Sequence, residues 1–170
     1  GLRWNDCDFE NNEIFINHNV IYRFRDYDGW RFRLTTPKTN AGNRVVPMLS
    51  EVREALLQER ENQKRFKLKS PTIDGYSNFV FLNREQNLHN PMTINRAIKR
   101  IIRDHNRDEV KLAEKEKREP LLIRDFSVHN LRHTFCTRFC ENETNLKVIQ
   151  EIMGHSDIST TMNIYAEATA

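Results

Sequence analysis

The segment Val128-His129-Asn130-Leu131-Arg132-His133-Thr134-Phe135 is the most informative part of this 170-residue chain. Ser127 precedes it as a good helix N-cap, so we expect a helix here. Residues three and four apart share one face of a helix, which places His129, Arg132 and His133 side by side. The segment therefore predicts a helical platform that presents two imidazoles and one guanidinium together.

Two more helices are predicted after this platform. Asn145 is a suitable N-cap for the first, and Gly154 lies where a helix-ending glycine belongs, immediately before His155. Ser159 is expected to cap the second, which carries Tyr165. The last third of the chain thus supplies a fixed positive charge, several titratable imidazoles and a phenol.

This combination of side chains suits nucleophilic attack on a phosphodiester. The oxygen of Tyr165 is the candidate nucleophile, and Arg132 can donate two parallel hydrogen bonds to non-bridging phosphate oxygens. An imidazole exchanges protons near neutral pH. Lys38, expected on a mobile hairpin, is the candidate general acid for the leaving oxygen. The sequence contains no acidic cluster that suggests bound Mg²⁺, so the pattern favours metal-free chemistry.

Each of these features alone also has an ordinary structural explanation, since single motifs produce many false positives. Zinc is a rival interpretation, because His129, His133, Cys136 and Cys140 form one helical stripe of good zinc ligands. Four ligands spread over three turns of one helix cannot all converge on one ion. We therefore expect the two cysteines to be small buried apolar residues.

Composition excludes several classes of protein. No apolar run approaches the roughly 20 residues of a membrane span, so no membrane partner is expected. Three cysteines indicate a reducing compartment rather than a disulfide scaffold. The net charge is only +3, but basic residues concentrate in residues 20–45 and 95–103. Such basic clusters suit a polyanion.

The pattern of apolar residues predicts an α+β fold, mainly helical, with a small antiparallel β-sheet near the N-terminus. Three segments have strand composition and are separated by turn signals: Glu13–Ile16, Val20–Phe24 and Trp30–Leu34. Residues 44–47 resume extended structure after a turn. We expect one sheet whose hairpin tip lies near residues 38–43.

Helices are predicted over much of the remaining chain. Ser50 is expected to cap the first, and Asn90 with Pro91 opens the second, whose apolar residues form one stripe, namely Ile94, Ala97, Ile98, Ile101 and Ile102. The charged residues 104–119 can either continue that helix or form a loop. Between the two helices, Phe79–Leu82 is expected to be a short apolar strand.

Taken in order, these motifs resemble the catalytic domain of the tyrosine recombinases, the phage-integrase family of prophages and conjugative transposons. Thr36-Pro37-Lys38-Thr39 and Arg44-Val45-Val46-Pro47 come first, and Val128–Phe135 follows about 90 residues later. Ile149–His155 and Ser159–Tyr165 complete the set. The resemblance covers nearly the whole chain, and H-x-x-R-H, G-H and Tyr at these spacings are jointly very specific.

The resemblance implies a role for each matching residue. Tyr165 corresponds to the nucleophile that forms a 3′-phosphotyrosyl bond, and Arg132 to the second phosphate-binding arginine. His129 corresponds to the histidine beside it, His155 to the later histidine that contacts the scissile phosphate, and Lys38 to the hairpin lysine that protonates the leaving oxygen. The position of His133 is more often structural.

One departure from the family pattern concerns an earlier arginine in a G-x-R-x-x-E motif. Leu2–Phe9 matches the stretch that follows that motif, so Arg3 is not assigned as the first catalytic arginine. We expect residues 1–170 to be a single catalytic domain fragment that lacks the upstream DNA-binding domain and the start of the catalytic domain. Such a fragment is expected to be nearly inactive.

The implied function is site-specific DNA recombination, which integrates or excises a mobile element by strand cleavage and rejoining. The implied partners are double-stranded DNA and other recombinase subunits, a tetramer on DNA in the full-length protein. No cofactor is implied, and the expected location is the bacterial cytoplasm, at the nucleoid. Two alternatives stay open: a type IB topoisomerase-like enzyme, and a non-catalytic DNA-binding or metal-binding module.

Overall fold

The computed structural model describes residues 1–169, in which strands precede helices along the chain. The strands are β1 Cys7–Asp8, β2 Glu13–Ile16, β3 Asn19–Arg25, β4 Gly29–Thr35 and β5 Arg44–Pro47. The helices are α1 Ser50–Arg65, α2 Pro91–Glu116, α3 Val128–Asn142, α4 Leu146–Met153 and α5 Ile158–Thr169, with 3-10 turns at Trp4–Asp6 and Asn40–Gly42. The predicted α+β architecture is confirmed.

The strands form two separate antiparallel sheets. β2 lies between β1 and β5, whereas β3 and β4 form a hairpin that turns at residues 26–28. The prediction of one sheet with a hairpin tip near residues 38–43 is therefore wrong. β5 pairs with β2 instead of β4, and this places Ile14 against the buried side chains of Leu56 and Val80. Residues 38–43 consequently connect the two sheets.

The core consists of three clusters of buried side chains. The first joins the three-stranded sheet to α1 through Met48, Leu56 and Val80, and the second packs Phe79, Leu82 and Leu88 under the β3–β4 hairpin. The third joins α3, α4 and α5 and consists of Cys136, Cys140, Ile149 and Met153. Burying each large apolar side chain contributes about 1.5–3 kcal/mol, so the third cluster fixes the relative positions of α3, α4 and α5.

The predicted strand at Phe79–Leu82 is wrong in backbone, and its burial is uneven, since Phe81 is 55% exposed. Its residues form only isolated bridges, with Arg3 and Leu88 as the partners, although Phe79 and Val80 are fully buried. An apolar run of four residues marks burial without fixing the backbone conformation.

Helix α2 continues through the charged residues as far as Glu116. Of the two alternatives for residues 104–119, a continued helix or a loop, the structure shows the helix. Asn90 caps it by accepting a hydrogen bond from the Met92 amide. The apolar stripe is only partly buried, because Ile102 is 3% exposed and its neighbour Ile101 is 64% exposed. The predicted stripe is thus wider than the face that the helix buries.

Local capping signals place most helix ends. Ser127 caps α3, and Asn145 caps α4 through the amides of Lys147 and Val148, as predicted. Two predicted caps are shifted. Ser50 is already the first residue of α1, and Asp157, not Ser159, supplies the side chain that accepts from an amide in the first turn of α5. A neighbouring polar residue therefore takes the capping role at α5.

Within residues 1–169, no helix combines the length and the apolar character that crossing a membrane requires.

Candidate active site

A cavity of about 280 Å³ lies between α3, the end of α4 and α5. Helix α3 contributes the residues predicted as a platform, and His155 faces them from the turn after α4. The complete lining is His129, Arg132, His133, Cys136, Met153, His155, Thr160, Asn163 and Ile164. Three of the five candidate catalytic residues, His129, Arg132 and His155, are therefore brought together around one cavity.

The orientation of α3 follows from its N-terminal cap and its buried face. Ser127 and Asn130 form a reciprocal capping box, which fixes the first turn of the helix. Cys136 and Cys140 face the core, so the preceding turns present His129 and His133 at the cavity. The two imidazoles meet edge to face with their centroids 5.4 Å apart. His133, for which the sequence indicates a structural role, thus also reaches the cavity.

Two arginines meet at the C-terminus of α4. The carbonyl of Ile152 accepts from Nε of Arg44 at 2.8 Å, and the carbonyl of Met153 accepts from the Arg132 guanidinium. The last carbonyls of a helix have no partner within the helix and carry its partial negative charge. Both guanidinium groups therefore contact the electronegative end of α4.

Gly154 makes this close approach feasible. Its φ is +67°, the left-handed conformation that ends a helix. A Cβ at this position would lie 2.6 Å from Nη1 of Arg44 and 3.0 Å from the carbonyl oxygen of Ala41. Both the backbone conformation and the space therefore require glycine, and the turn points His155 toward the cavity.

The imidazole of His155 is held by a buried hydroxyl. Its Nδ1 lies 2.9 Å from Oγ1 of Thr161, a residue with no exposed surface. Nε2 is then the ring nitrogen that remains for a ligand in the cavity. Burial lowers the pKa of His155 below its ordinary value of 6.5, and the positive charges of Arg132, Arg44 and His133 lower it further. The imidazole is therefore neutral at pH 7.

The site carries an excess of positive charge. Burial and the nearby Arg132 both lower the pKa of Arg44, although its guanidinium stays protonated. The charged groups that act on His155 are Arg132, Arg44 and His133. Of these groups, Arg132 and His133 line the cavity, where they can donate hydrogen bonds to an anion. A phosphate group matches the donor geometry of arginine.

Tyr165 is not among the residues that line the cavity. Its half-buried side chain packs against the cluster of Cys136, Cys140, Ile149 and Met153, whereas α5 lines the cavity with Thr160, Asn163 and Ile164. Cys136 and Met153 belong both to that cluster and to the cavity lining. These two side chains therefore connect the cluster on which Tyr165 packs with the cavity.

Lys38 is exposed and lies in the segment between β4 and the 3-10 turn Asn40–Gly42. It is not among the cavity-lining residues. The structure therefore leaves Lys38 outside the group formed by His129, Arg132 and His155. Arg44, which follows the same 3-10 turn, links the two by hydrogen bonds to the carbonyls of Gly42 and Ile152.

The zinc interpretation finds no support within residues 1–169, where no group of three or more histidine, cysteine or acidic side chains is arranged to hold a metal ion. Burial, followed by the effect of Cys140, raises the pKa of the Cys136 thiol to about 11. The thiol therefore stays protonated at neutral pH and acts as an apolar core residue, whereas zinc binds the thiolate.

Sequence reasoning assigns no role to two residues of the site. Arg44 falls among the other basic residues of the N-terminal third, and its place beside His155 depends on a contact across 108 positions. Thr161 carries no local signal, since a threonine in a helix is common. The motif Arg44-Val45-Val46-Pro47 is the one sequence feature that singles out Arg44.

Comparisons with known proteins show which family the chain resembles. The model of the phage integrase family matches residues 1–170. The chain is 38% identical, over 99% of its length, to the transposase from transposon Tn916 of Enterococcus faecalis. It is 30% identical, over 97% of its length, to a XerC-like tyrosine recombinase of Caldanaerobacter subterraneus subsp. tengcongensis. The chain spans 38% and 40% of the lengths of these two relatives.

Solved structures share the fold. The Tn1549 transposon integrase in complex with transposon right end DNA superposes with a TM-score of 0.79 at 32% identity, covering 97% of this chain and 48% of that chain. XerA recombinase, at 21% identity and a TM-score of 0.58, shares the fold over 96% of this chain and 44% of its own. The α+β architecture described above is therefore that of a known class of catalytic domain.

Proposed function

Since this chain belongs to the phage integrase family and corresponds to a tyrosine recombinase catalytic domain, we propose that it cleaves and rejoins DNA in site-specific recombination of a mobile element. The observation that supports this function is the cationic cavity in which His129, Arg132 and His155 converge beside Tyr165. Relatives that are transposases of Tn916 and Tn1545 support the link to a mobile element.

In the proposed reaction the phenolic oxygen of Tyr165 attacks the scissile phosphorus and passes its proton to one of the site imidazoles, His129 or His155. A new P–O bond to tyrosine forms as the bond to the 5′ oxygen breaks, and Lys38 gives that oxygen a proton. The products are a 3′-phosphotyrosyl linkage and a free 5′ hydroxyl. Attack by another 5′ hydroxyl reverses these steps and joins the new strand, so the reaction conserves the phosphoester energy.

Arg132 is proposed to bind the non-bridging oxygens, because its donors aim at charge that grows in the transition state. His129 and His155 complete the anion site as hydrogen-bonding imidazoles. For the reaction, the phenol of Tyr165, which does not line the cavity, must reach the phosphate bound there. Lys38 must approach from its exposed segment.

A second basic surface supports DNA as the substrate. The N-terminal half of α2 borders a groove of about 550 Å³ that carries four cationic side chains and one carboxylate, namely Arg96, Lys99, Arg100, Arg103 and Asp125. Such a groove suits contacts to backbone phosphates. Similar solved structures, in which the Tn1549 transposon integrase is in complex with DNA, also support DNA as the substrate. We also propose that further recombinase subunits assemble with the chain on DNA, in the bacterial cytoplasm at the nucleoid.

The test is covalent trapping of the full-length protein on a nicked DNA substrate from which the cleaved fragment diffuses away. We expect a protein–DNA adduct whose modified peptide contains Tyr165. Tyr165→Phe should abolish the adduct and keep DNA affinity, since the phenyl ring fills the same core space. An adduct in that variant would place the nucleophile elsewhere, and equally efficient trapping on unrelated DNA would favour a topoisomerase.

A further inference from the structure

Arg44 connects two parts of the site that are far apart in sequence. Its Nε donates to the Ile152 carbonyl at 2.8 Å, and its Nη1 donates to the Gly42 carbonyl at 3.3 Å. Ile152 is three residues before His155, and Gly42 is four residues after Lys38. One planar guanidinium thus joins the segment that carries the candidate acid to the turn that carries the candidate imidazole.

The Lys38 side of this connection is compact. Pro37 packs directly on Gly42, so closely that a Cβ on Gly42 would collide with the proline ring. The Gly42 amide donates to the Thr39 carbonyl at 2.9 Å, which closes the 3-10 turn. The residues on both sides of Lys38 are therefore held against the turn whose last carbonyl accepts from Arg44.

The His155 side is equally constrained. Arg44 fills the space next to Gly154, where no side chain fits. The amide of His155 donates to the Gln150 carbonyl at 3.1 Å, so the turn that follows α4 is closed. The two residues before Gly154 accept from both arginines, Ile152 from Arg44 and Met153 from Arg132.

Arg44 lies outside the cavity itself. It lines a separate groove on the other side of the His155 turn, together with Ala41, Gln150 and Glu151, whereas Arg132 lines the cavity. His155 borders both. Since the groups that Arg44 bonds are carbonyls of the protein, its geometry indicates a residue that acts through others.

We propose that Arg44 is a positioning residue, which sets the distance between the Lys38 segment and the His155 imidazole by bridging the Gly42 and Ile152 carbonyls. This inference rests on the proposed function. It gives Arg44, the basic residue before Val45-Val46-Pro47, a specific role. The rigid guanidinium holds the segment of the proton donor Lys38 at a fixed distance from the phosphate-binding imidazole of His155. Arginine suits this role because a lysine cannot reach two carbonyls in a fixed plane.

The test compares Arg44→Gln and Arg44→Lys in the full-length protein, with Arg138→Gln as the matched control. Arg138 lies on α3, exposed and paired with Glu141. At saturating nicked DNA, we expect Arg44→Gln to slow covalent cleavage by about 10²-fold, the size expected when reacting groups are misplaced by about 1 Å. Arg44→Lys should recover part of the rate, and Arg138→Gln should match the unmodified protein.

Two further measurements separate positioning from folding and from DNA binding. DNA affinity and its salt dependence should stay the same in Arg44→Gln. The imidazole of His155 faces Arg132 and His133 of α3, Arg44 of β5 and the Thr161 hydroxyl of α5. Its titration, followed by NMR, should shift to higher pH in Arg44→Gln and stay nearly unchanged in Arg44→Lys, which keeps the charge. Loss of the charge moves this titration by itself, so the cleavage rate of Arg44→Lys, which keeps the charge, separates positioning from electrostatics.

Three results would overturn the proposal: cleavage by Arg44→Gln at the normal rate, an unmoved His155 titration, or a defect that appears entirely as weaker, less salt-sensitive DNA binding. Should Arg44→Gln fail to fold, Arg44→Lys carries the test, because positioning requires it to cleave more slowly at normal affinity. The imidazole titration needs no cleavage, so it reports on Arg44 even if the Tyr165 experiment rejects the proposed function.

Discussion

Arg132 of α3 donates a hydrogen bond to the main-chain carbonyl of Met153, two residues before His155. The bond fixes a flexible side chain at the edge of the cavity before any ligand arrives. Arginine has five N–H donors in a rigid plane, so the remaining donors can still bind phosphate oxygens. The site is therefore pre-organised for an anion by the end of a neighbouring helix.

Arg132→Lys should slow covalent DNA cleavage by about 10²–10³-fold, the effect of removing one donor to a developing negative charge. Lysine keeps the charge, but it cannot bond the Met153 carbonyl and a phosphate in the same fixed plane. The measurement is the single-turnover cleavage rate at saturating nicked DNA. Arg138→Lys, on the same helix but paired with Glu141, is the control. Normal cleavage by Arg132→Lys would contradict a role at the phosphate.

The lowered pKa of His155 predicts a specific pH dependence. Burial and three positive neighbours disfavour the imidazolium, so His155 should titrate below pH 6.5 in the protein without DNA, and NMR of the ring protons can follow it. Bound phosphate adds negative charge, so DNA should move the titration upward. A His155 pKa at or above 6.5 without DNA would contradict the arrangement.

The same shift links His155 to stability. The unfolded chain binds the imidazole proton with the ordinary pKa of 6.5, and the folded chain binds it less readily. Stability should therefore be complete above pH 6.5 and fall as the pH drops through the folded-state pKa. Urea unfolding at several pH values can measure this, and His155→Gln should remove that part of the pH dependence.

Local sequence signals predicted the helical part of the site well. Ser127, Asn145 and Gly154 act within a few residues of their own position, so the helix ends and the spacing of His129 and Arg132 could be read from the sequence. The pairing of β5 with β2 and the bond from Arg44 to Ile152 depend on contacts between distant segments. The composition of β5 does not determine whether it pairs with β2 or with β4.

The position of Tyr165 illustrates a different limit. Helical spacing places it on α5, but the side of α5 that faces the core is decided by packing against Cys136, Cys140 and Met153. The motif identifies the residue, whereas its place beside this cluster depends on contacts between α5 and the rest of the core. The sequence pattern therefore predicts which residues take part and not which of them lie together in this structure.

Gly154→Ala should destabilise the chain and slow cleavage together. The left-handed φ of +67° costs a residue with a Cβ about 1–2 kcal/mol, and the new methyl group would collide with Arg44. Chemical denaturation measures the first effect, and the cleavage rate of the folded protein measures the second. Gly75→Ala is the control, since Gly75 has φ +81° but open space around it. It should be less stable but cleave at the normal rate.

The basic groove on α2 predicts the salt dependence of DNA binding. Replacing Arg96, Lys99 and Arg100 with glutamine should weaken binding, and it should flatten the plot of log affinity against log salt by about 0.9 for each phosphate that is no longer neutralised. The matched control replaces Lys111, Lys115 and Lys117, which removes three charges near the other end of the same helix. An equal change of slope in both triple variants would assign the effect to net charge. A change confined to the first variant would assign it to phosphates bound in the groove, because counterion release counts only the charges that meet the DNA.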